Sequence, residues 1–84
     1  MATINVKLFG VFRMDTGRAE LRLEADRMGD IFPALKKELQ TEKTASGLAF
    51  KDASVYLNGE SCRKKSARLK DGDEIWLLSP ASGG

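Results

Sequence analysis

The sequence predicts an α+β fold: a mixed sheet of four to five strands packed on one main helix, in the order β-β-α-β-β-β. Three observations carry this. Two stretches near the start alternate apolar and polar residues with period two. One central stretch repeats its apolar residues every three to four positions, and further short apolar runs follow, punctuated by Asn-Gly and Asp-Gly pairs. A strand pair, a crossing helix and more strands within 84 residues fit one sheet with the helix on a single face.

Taken in order, "TINVKLF" sets Ile4, Val6 and Leu8 against Thr3, Asn5 and Lys7, the pattern of a half-buried strand. "MDTG" reads as a hairpin turn around Asp15 to Gly17. "RAELRLEA" then alternates Ala19, Leu21, Leu23 and Ala25 with Glu20, Arg22 and Glu24. Two strands joined by a short glycine-containing loop pair antiparallel. In "DIFPALKKELQ", Ile31, Phe32, Leu35 and Leu39 share one helical face, and Lys36, Lys37 and Glu38 lie on the other. Asp30 suits the N-cap, and Pro33 falls in the first turn, where its missing N–H costs little. The helix runs from Ile31 to Gln40.

"TEKTASGLAFK" has no strong period and reads as a loop with one helical turn near Ala45 to Ala49. "ASVYLNGE" is a short strand with Val55 and Leu57 inward, closed by the Asn58-Gly59 turn. A weak strand "SCR" follows. After the Asp71-Gly72 turn, the last strand places Ile75 and Leu77 on one face and Trp76 and Leu78 on the other. The division is a domain over residues 1–78 and a flexible tail over 79–84.

Composition narrows the function. Apolar residues at 42 % and charged residues at 31 % describe a globular chain. Folding at this length buries roughly 60 % of the unfolded surface, enough for a modest core. The chain has no histidine and one cysteine, Cys62. A typical zinc site, a Ser-His-Asp triad and a Cys-His pair are therefore all beyond its means. A lone cysteine forms no internal disulfide and suits a reducing cytoplasm. "MATINVKLFG" lacks a signal-peptide layout, and no run approaches the ~20 apolar residues of a membrane span. Cytoplasmic localisation is expected, without a membrane partner.

Several features admit two readings. Cys62 is read as a small buried hydrophobe, with a nucleophile as the alternative. The run "CRKKSARLK" holds Arg63, Lys64, Lys65, Arg68 and Lys70. It reads as a solvated basic edge that discourages strand aggregation, with an acidic partner as the alternative. No interleaved aromatics or binding motif points to nucleic acid. Asp71, Asp73 and Glu74 are explained by turn chemistry rather than by a cation site.

Phe9, Tyr56, Trp76 and Leu78 fall out of phase with the core positions. If the first, third and last strands lie side by side, these four make one apolar patch, a common mark of an interface. The alternative places Phe9 and Trp76 in the core, with Gly10 bulging the strand and inverting its phase. The closing "SPASGG" is either a mobile end or a reactive one.

"VKLFGVFR", "DIFPALKKEL", "VYLNGE" and above all "LKDGDEIWLLSPASGG" resemble the MoaD/ThiS family of ubiquitin-like sulfur carriers over the whole length. The resemblance implies a ubiquitin-like β-grasp, in which the last strand lies parallel to the first at the sheet centre. It also implies that the Gly84 carboxylate is adenylated by an E1-like enzyme and converted to a thiocarboxylate by a sulfur donor protein. ATP is then used by the partner, and this chain binds no cofactor and no metal. No P-loop or dinucleotide fingerprint is present here to bind it. The chain would be a co-substrate and small subunit with no catalytic residue of its own. Pro80, Ala81, Ser82 and Gly83 would insert into the partner's site. Six extended residues reach roughly 20 Å, and glycine has no Cβ to clash with narrow walls.

Phe9 and Leu78 match positions where the family meets its partner. The molybdopterin-type tail often has two prolines where Ser79-Pro80 stand here. The implied role is in molybdopterin or tungstopterin cofactor synthesis, with a large pterin-binding molybdopterin synthase subunit as partner. Alternatives are thiamine thiazole synthesis with a thiazole synthase, a ubiquitin-like protein modifier, or a non-catalytic β-grasp interaction domain.

Overall fold

The computed structural model describes residues 1–40 and 50–79. The expected helical turn near Ala45 to Ala49 and the tail residues Pro80, Ala81, Ser82, Gly83 and Gly84 lie outside the described residues.

Seven elements follow in chain order: β1 (Ala2–Leu8), α1 (Val11–Thr16), β2 (Glu20–Ala25), α2 (Ile31–Leu39), β3 (Ser54–Leu57), β4 (Glu60–Ser61) and β5 (Glu74–Leu78). Short 3₁₀ turns at Met28–Asp30 and Phe50–Asp52 lead into α2 and β3. The five strands form one sheet in the order β2-β1-β5-β3-β4. β1 pairs antiparallel with β2 and parallel with β5, and β3 pairs antiparallel with both β5 and β4. This is the ubiquitin-like β-grasp.

Period-two patterning decides the faces. Ile4, Val6 and Leu8 of β1, Leu21, Leu23 and Ala25 of β2, and Ile75 and Leu77 of β5 are all buried. They share one core with Ile31 and Leu35 of α2. A central parallel pair contributes its apolar row directly beneath the helix, while the other face of the sheet stays open to solvent or a partner.

The hairpin turn expected around Asp15 to Gly17 is replaced by α1. This helix has only six residues, too few to persist alone. Phe12 anchors it: the ring is fully buried and stacks on Phe50, with centroids 5.6 Å apart. Gly17, at φ 72°, closes the helix in the left-handed conformation and donates its N–H to the Arg13 carbonyl at 3.0 Å. Because α1 occupies this connection, β2 begins at Glu20 rather than Arg18, and Ala19 is exposed.

Asp30 precedes α2 as expected but makes no side-chain cap to it. Its carboxylate instead accepts the Arg27 N–H at 3.2 Å, stabilising the 3₁₀ turn from which α2 grows. The helix ends at Leu39, and Gln40 turns left-handed at φ 57°. β4 is confined to Glu60–Ser61, so Cys62 and Arg63 of the expected strand fall beyond it. Cys62 is half-buried and packs against the core.

Candidate functional site

Strand direction gathers the site. β1 and β5 run parallel, so their final residues sit at the same end of the sheet. β3 runs the other way, so its first residue, Ser54, is at that end too, opposite Leu78. Phe9 extends the pairing beyond β1 by donating its N–H to the Leu77 carbonyl at 2.9 Å. Ser79 therefore leaves the sheet beside Phe9.

On the open face, one row crosses all five strands: Glu20, Lys7, Trp76, Tyr56 and Ser61. Its centre is aromatic. Trp76 meets Phe9 edge-on at 6.0 Å between centroids, and Tyr56 at 6.1 Å with a tilted geometry. Each such pair adds about 0.5–1.5 kcal/mol beyond area burial. Phe9 is 36 % exposed, and Tyr56, Trp76 and Leu78 are half-buried. The four sequence-selected residues thus share one face of the sheet, with Phe9 and Leu78 at the exit end and the Trp76–Tyr56 pair two residues in. Leu78 follows Trp76 by two residues and points to the same side. The core alternative for Phe9 and Trp76 is not what the fold adopts.

The indole is oriented from below. Trp76 Nε1–H donates to Glu74 Oε1 at 2.5 Å, and the other oxygen of Glu74 lies 3.6 Å from Lys7 Nζ. This carboxylate positions the largest ring of the patch, a role the sequence reading did not assign. The signal was the two-residue spacing that places Glu74 and Trp76 on one face.

Asp71 and Asp73 hold turns. Asp71 Oδ1 accepts the Thr3 N–H at 2.8 Å. Asp73 accepts the Lys70 N–H at 2.8 Å and the Asn58 side-chain amide at 3.1 Å. Among the described residues, no cluster of three or more His, Cys, Asp or Glu is placed to hold a metal ion, and no helix is long and apolar enough to cross a membrane.

Gly10 was not singled out as a site residue. Its φ of 60° and the absence of a side chain let Ser79 lie against it. The signal was a glycine directly after the first strand.

The ThiS family matches residues 6–84. No curated protein matches the sequence significantly. Among solved structures, small archaeal modifier protein 1 of Methanosarcina acetivorans is 28 % identical, with a TM-score of 0.79, over 100 % of this chain and 98 % of that one. Small archaeal modifier protein 1 of Haloferax volcanii is 26 % identical, with a TM-score of 0.77, over 99 % of this chain and 100 % of the other. A chain from the complex of subunits 1 and 2 of the Helicobacter pylori molybdopterin-converting factor is 27 % identical, with a TM-score of 0.63, over 98 % and 99 % of the two chains. With a match running from β1 to the final glycine, this chain belongs to the ThiS family, within the MoaD/ThiS ubiquitin-like sulfur carriers.

Proposed function

We propose that the chain carries sulfur on Gly84 for a pterin cofactor of molybdenum or tungsten. The family match extending through Gly83-Gly84 carries this reading. A carboxylate is a poor electrophile until one oxygen becomes a leaving group. The Gly84 carboxylate attacks the α-phosphorus of ATP held by an E1-like enzyme, releasing pyrophosphate and forming an acyl-adenylate. A persulfide on a donor protein then adds through its outer sulfur to the carbonyl carbon and expels AMP. A thiol attacks the donor's inner sulfur, forming a disulfide there and releasing the thiocarboxylate. The chain acts as co-substrate and small subunit; its partners supply the catalysis.

The patch of Phe9, Tyr56, Trp76 and Leu78 supports docking, because it lies where Ser79 leads out of the fold. Ordering each tail residue opposes insertion by about 1–2 kcal/mol, so body docking must offset several kcal/mol. Pro80 lowers that cost by fixing φ. The likeness to a subunit of a two-subunit molybdopterin-converting factor favours a larger pterin-binding synthase subunit as acceptor.

The likeness to two small archaeal modifier proteins supports a second reading, a modifier joined through Gly84 to lysines of target proteins. Intact-mass spectrometry of the protein from its own host separates the two. A terminus at Gly84 with one oxygen replaced by sulfur is expected for the carrier. Isopeptide conjugates without that species would favour the modifier. Absence of both, after incubation with the activating enzyme, ATP and sulfur donor, would overturn both readings.

A further inference from the structure

A second surface opens on the other side of β3. A groove of about 380 Å³ runs beside the β3–β4 edge, and its lining, more polar than apolar, includes Phe32 and Val55. Three cations line it, Lys51, Arg63 and Lys65, against one anion, Asp52. All three are exposed, and no ion pair among the described residues engages them.

The cations come from two anchored segments, the 3₁₀ turn before β3 and the loop after β4. Lys51 sits in the 3₁₀ turn before β3. Arg63 follows Cys62, whose N–H donates to the Val55 carbonyl at 2.9 Å. Lys65 is pinned through its carbonyl, which accepts the Gly29 N–H at 2.8 Å. A Cβ on Gly29 would approach the Lys65 Cβ to 3.1 Å, so this contact requires glycine or a shift of the lysine backbone. Backbone anchoring fixes the points from which the three side chains project, which lowers part of the ordering cost of binding.

We propose that this groove docks an acidic segment of a partner protein, with one apolar side chain seated over Phe32 and Val55 and carboxylates facing Lys51, Arg63 and Lys65. Charge complementarity selects the occupant. Phe32 and Tyr56 are half-buried rather than displayed for base stacking, which argues against a single-stranded nucleic acid. β4 pairs with only Tyr56 and Leu57, so the start of β3 has no strand neighbour on this side among the described residues. Tyr56 belongs both to the aromatic row and to the groove wall. A partner seated on that row reaches the groove by crossing the two-residue β4. This inference is independent of sulfur carriage at Gly84.

The test is an NMR titration of the full ¹⁵N-labelled chain with an acetylated Asp-Glu-Asp-Leu-Glu-Asp peptide at up to millimolar concentration. Shifts at Ala53, Val55, Cys62 and Lys65 are expected, weakening as salt is raised. Lys51→Glu and Arg63→Glu should each reduce affinity about two- to fivefold. Arg22→Glu and Lys37→Glu, which change net charge equally on β2 and α2, should leave it unchanged. The spectrum of each free variant checks its fold. No peptide shifts at millimolar concentration would overturn the proposal. So would equal losses in the β2 and α2 variants, contacts from residues 41–49 that fill the groove and exclude the peptide, or displacement of the peptide by a single-stranded oligonucleotide.

Discussion

A Cβ on Gly10 would stand 2.3 Å from the Ser79 Oγ and 3.3 Å from its Cβ. The residue that ends β1's extension and the residue that begins the exit from β5 are in close approach. Their proximity follows from the parallel pairing of the two central strands.

Gly10→Ala should therefore move Ser79. The variant also carries the strain of φ 60° and ψ -132°, a region sparsely open to L-residues, at about 1–3 kcal/mol. Adding Ser79→Gly removes both clashing atoms but not the backbone strain. The double variant should recover the amide chemical shifts of Leu77 and Leu78 while remaining less stable than wild type in urea. If the single variant leaves those shifts unchanged, the contact does not set the exit path.

Phe12→Ala should destabilise the fold by about 3–5 kcal/mol, the range for deleting a buried aromatic ring. The loss also frees the face of Phe50 and unseats α1. Met14, on the same helix but 82 % exposed, should tolerate alanine within about 0.5 kcal/mol. Urea unfolding of the two variants side by side reads the difference.

Trp76→Glu should cut affinity for the activating enzyme by about 30-fold or more, the scale of an aromatic hot spot. It removes the central ring from both aromatic contacts and sets a second carboxylate near Glu74. The far-UV spectrum should stay native, because Trp76 lies off the core. Collapse of the fold would show instead that the ring is structural.

Asn58 ties two turns together. Its amide donates to Asp73 Oδ1 at 3.1 Å, and its Oδ1 accepts the Glu74 N–H at 2.9 Å. The residue also sits at φ 51°, where asparagine is tolerated. Asn58→Ala should cost about 1–3 kcal/mol from lost bonds, with backbone strain added. Asn58→Gly should cost less, since it gives up the same bonds without the strain. Equal losses in thermal unfolding would assign the whole effect to the side chain.

Appending one glycine after Gly84 should abolish thiocarboxylate formation with no change in thermal stability. On the proposed function, the added residue would displace the carboxylate from the register that an activating enzyme requires. Sulfur loading at the wild-type level would overturn the assignment of Gly84.

Much of this molecule is legible along the chain because burial repeats with secondary-structure period. Ile4, Val6, Leu8, Ile75 and Leu77 announce their inward faces, and Asn58-Gly59 announces its turn. The helix of residues 31–39 stands out for the same reason. The short helix over residues 11–16 was hidden by its length, although Gly17 after it and Phe12 within it were signals. The four patch residues were readable as a break in phase, whereas the groove joins Arg63 and Lys65 of the basic run to Lys51 and Phe32 from segments that share no pattern with it.

Local sequence settled which residues turn inward, because alternation and helical spacing are properties of neighbours along the chain. It also supplied the glycine-ended segment whose chemistry the family resemblance suggests. Residue patterning left the strand order open; the tertiary structure seats β5 beside β1 in parallel, as the family resemblance implied, since strand order depends on long-range burial rather than on nearby residues. That pairing sets Gly10 against Ser79 and Phe9 beside Trp76, while the antiparallel β3–β5 pairing adds Tyr56 and leaves the β3–β4 edge beside a basic groove.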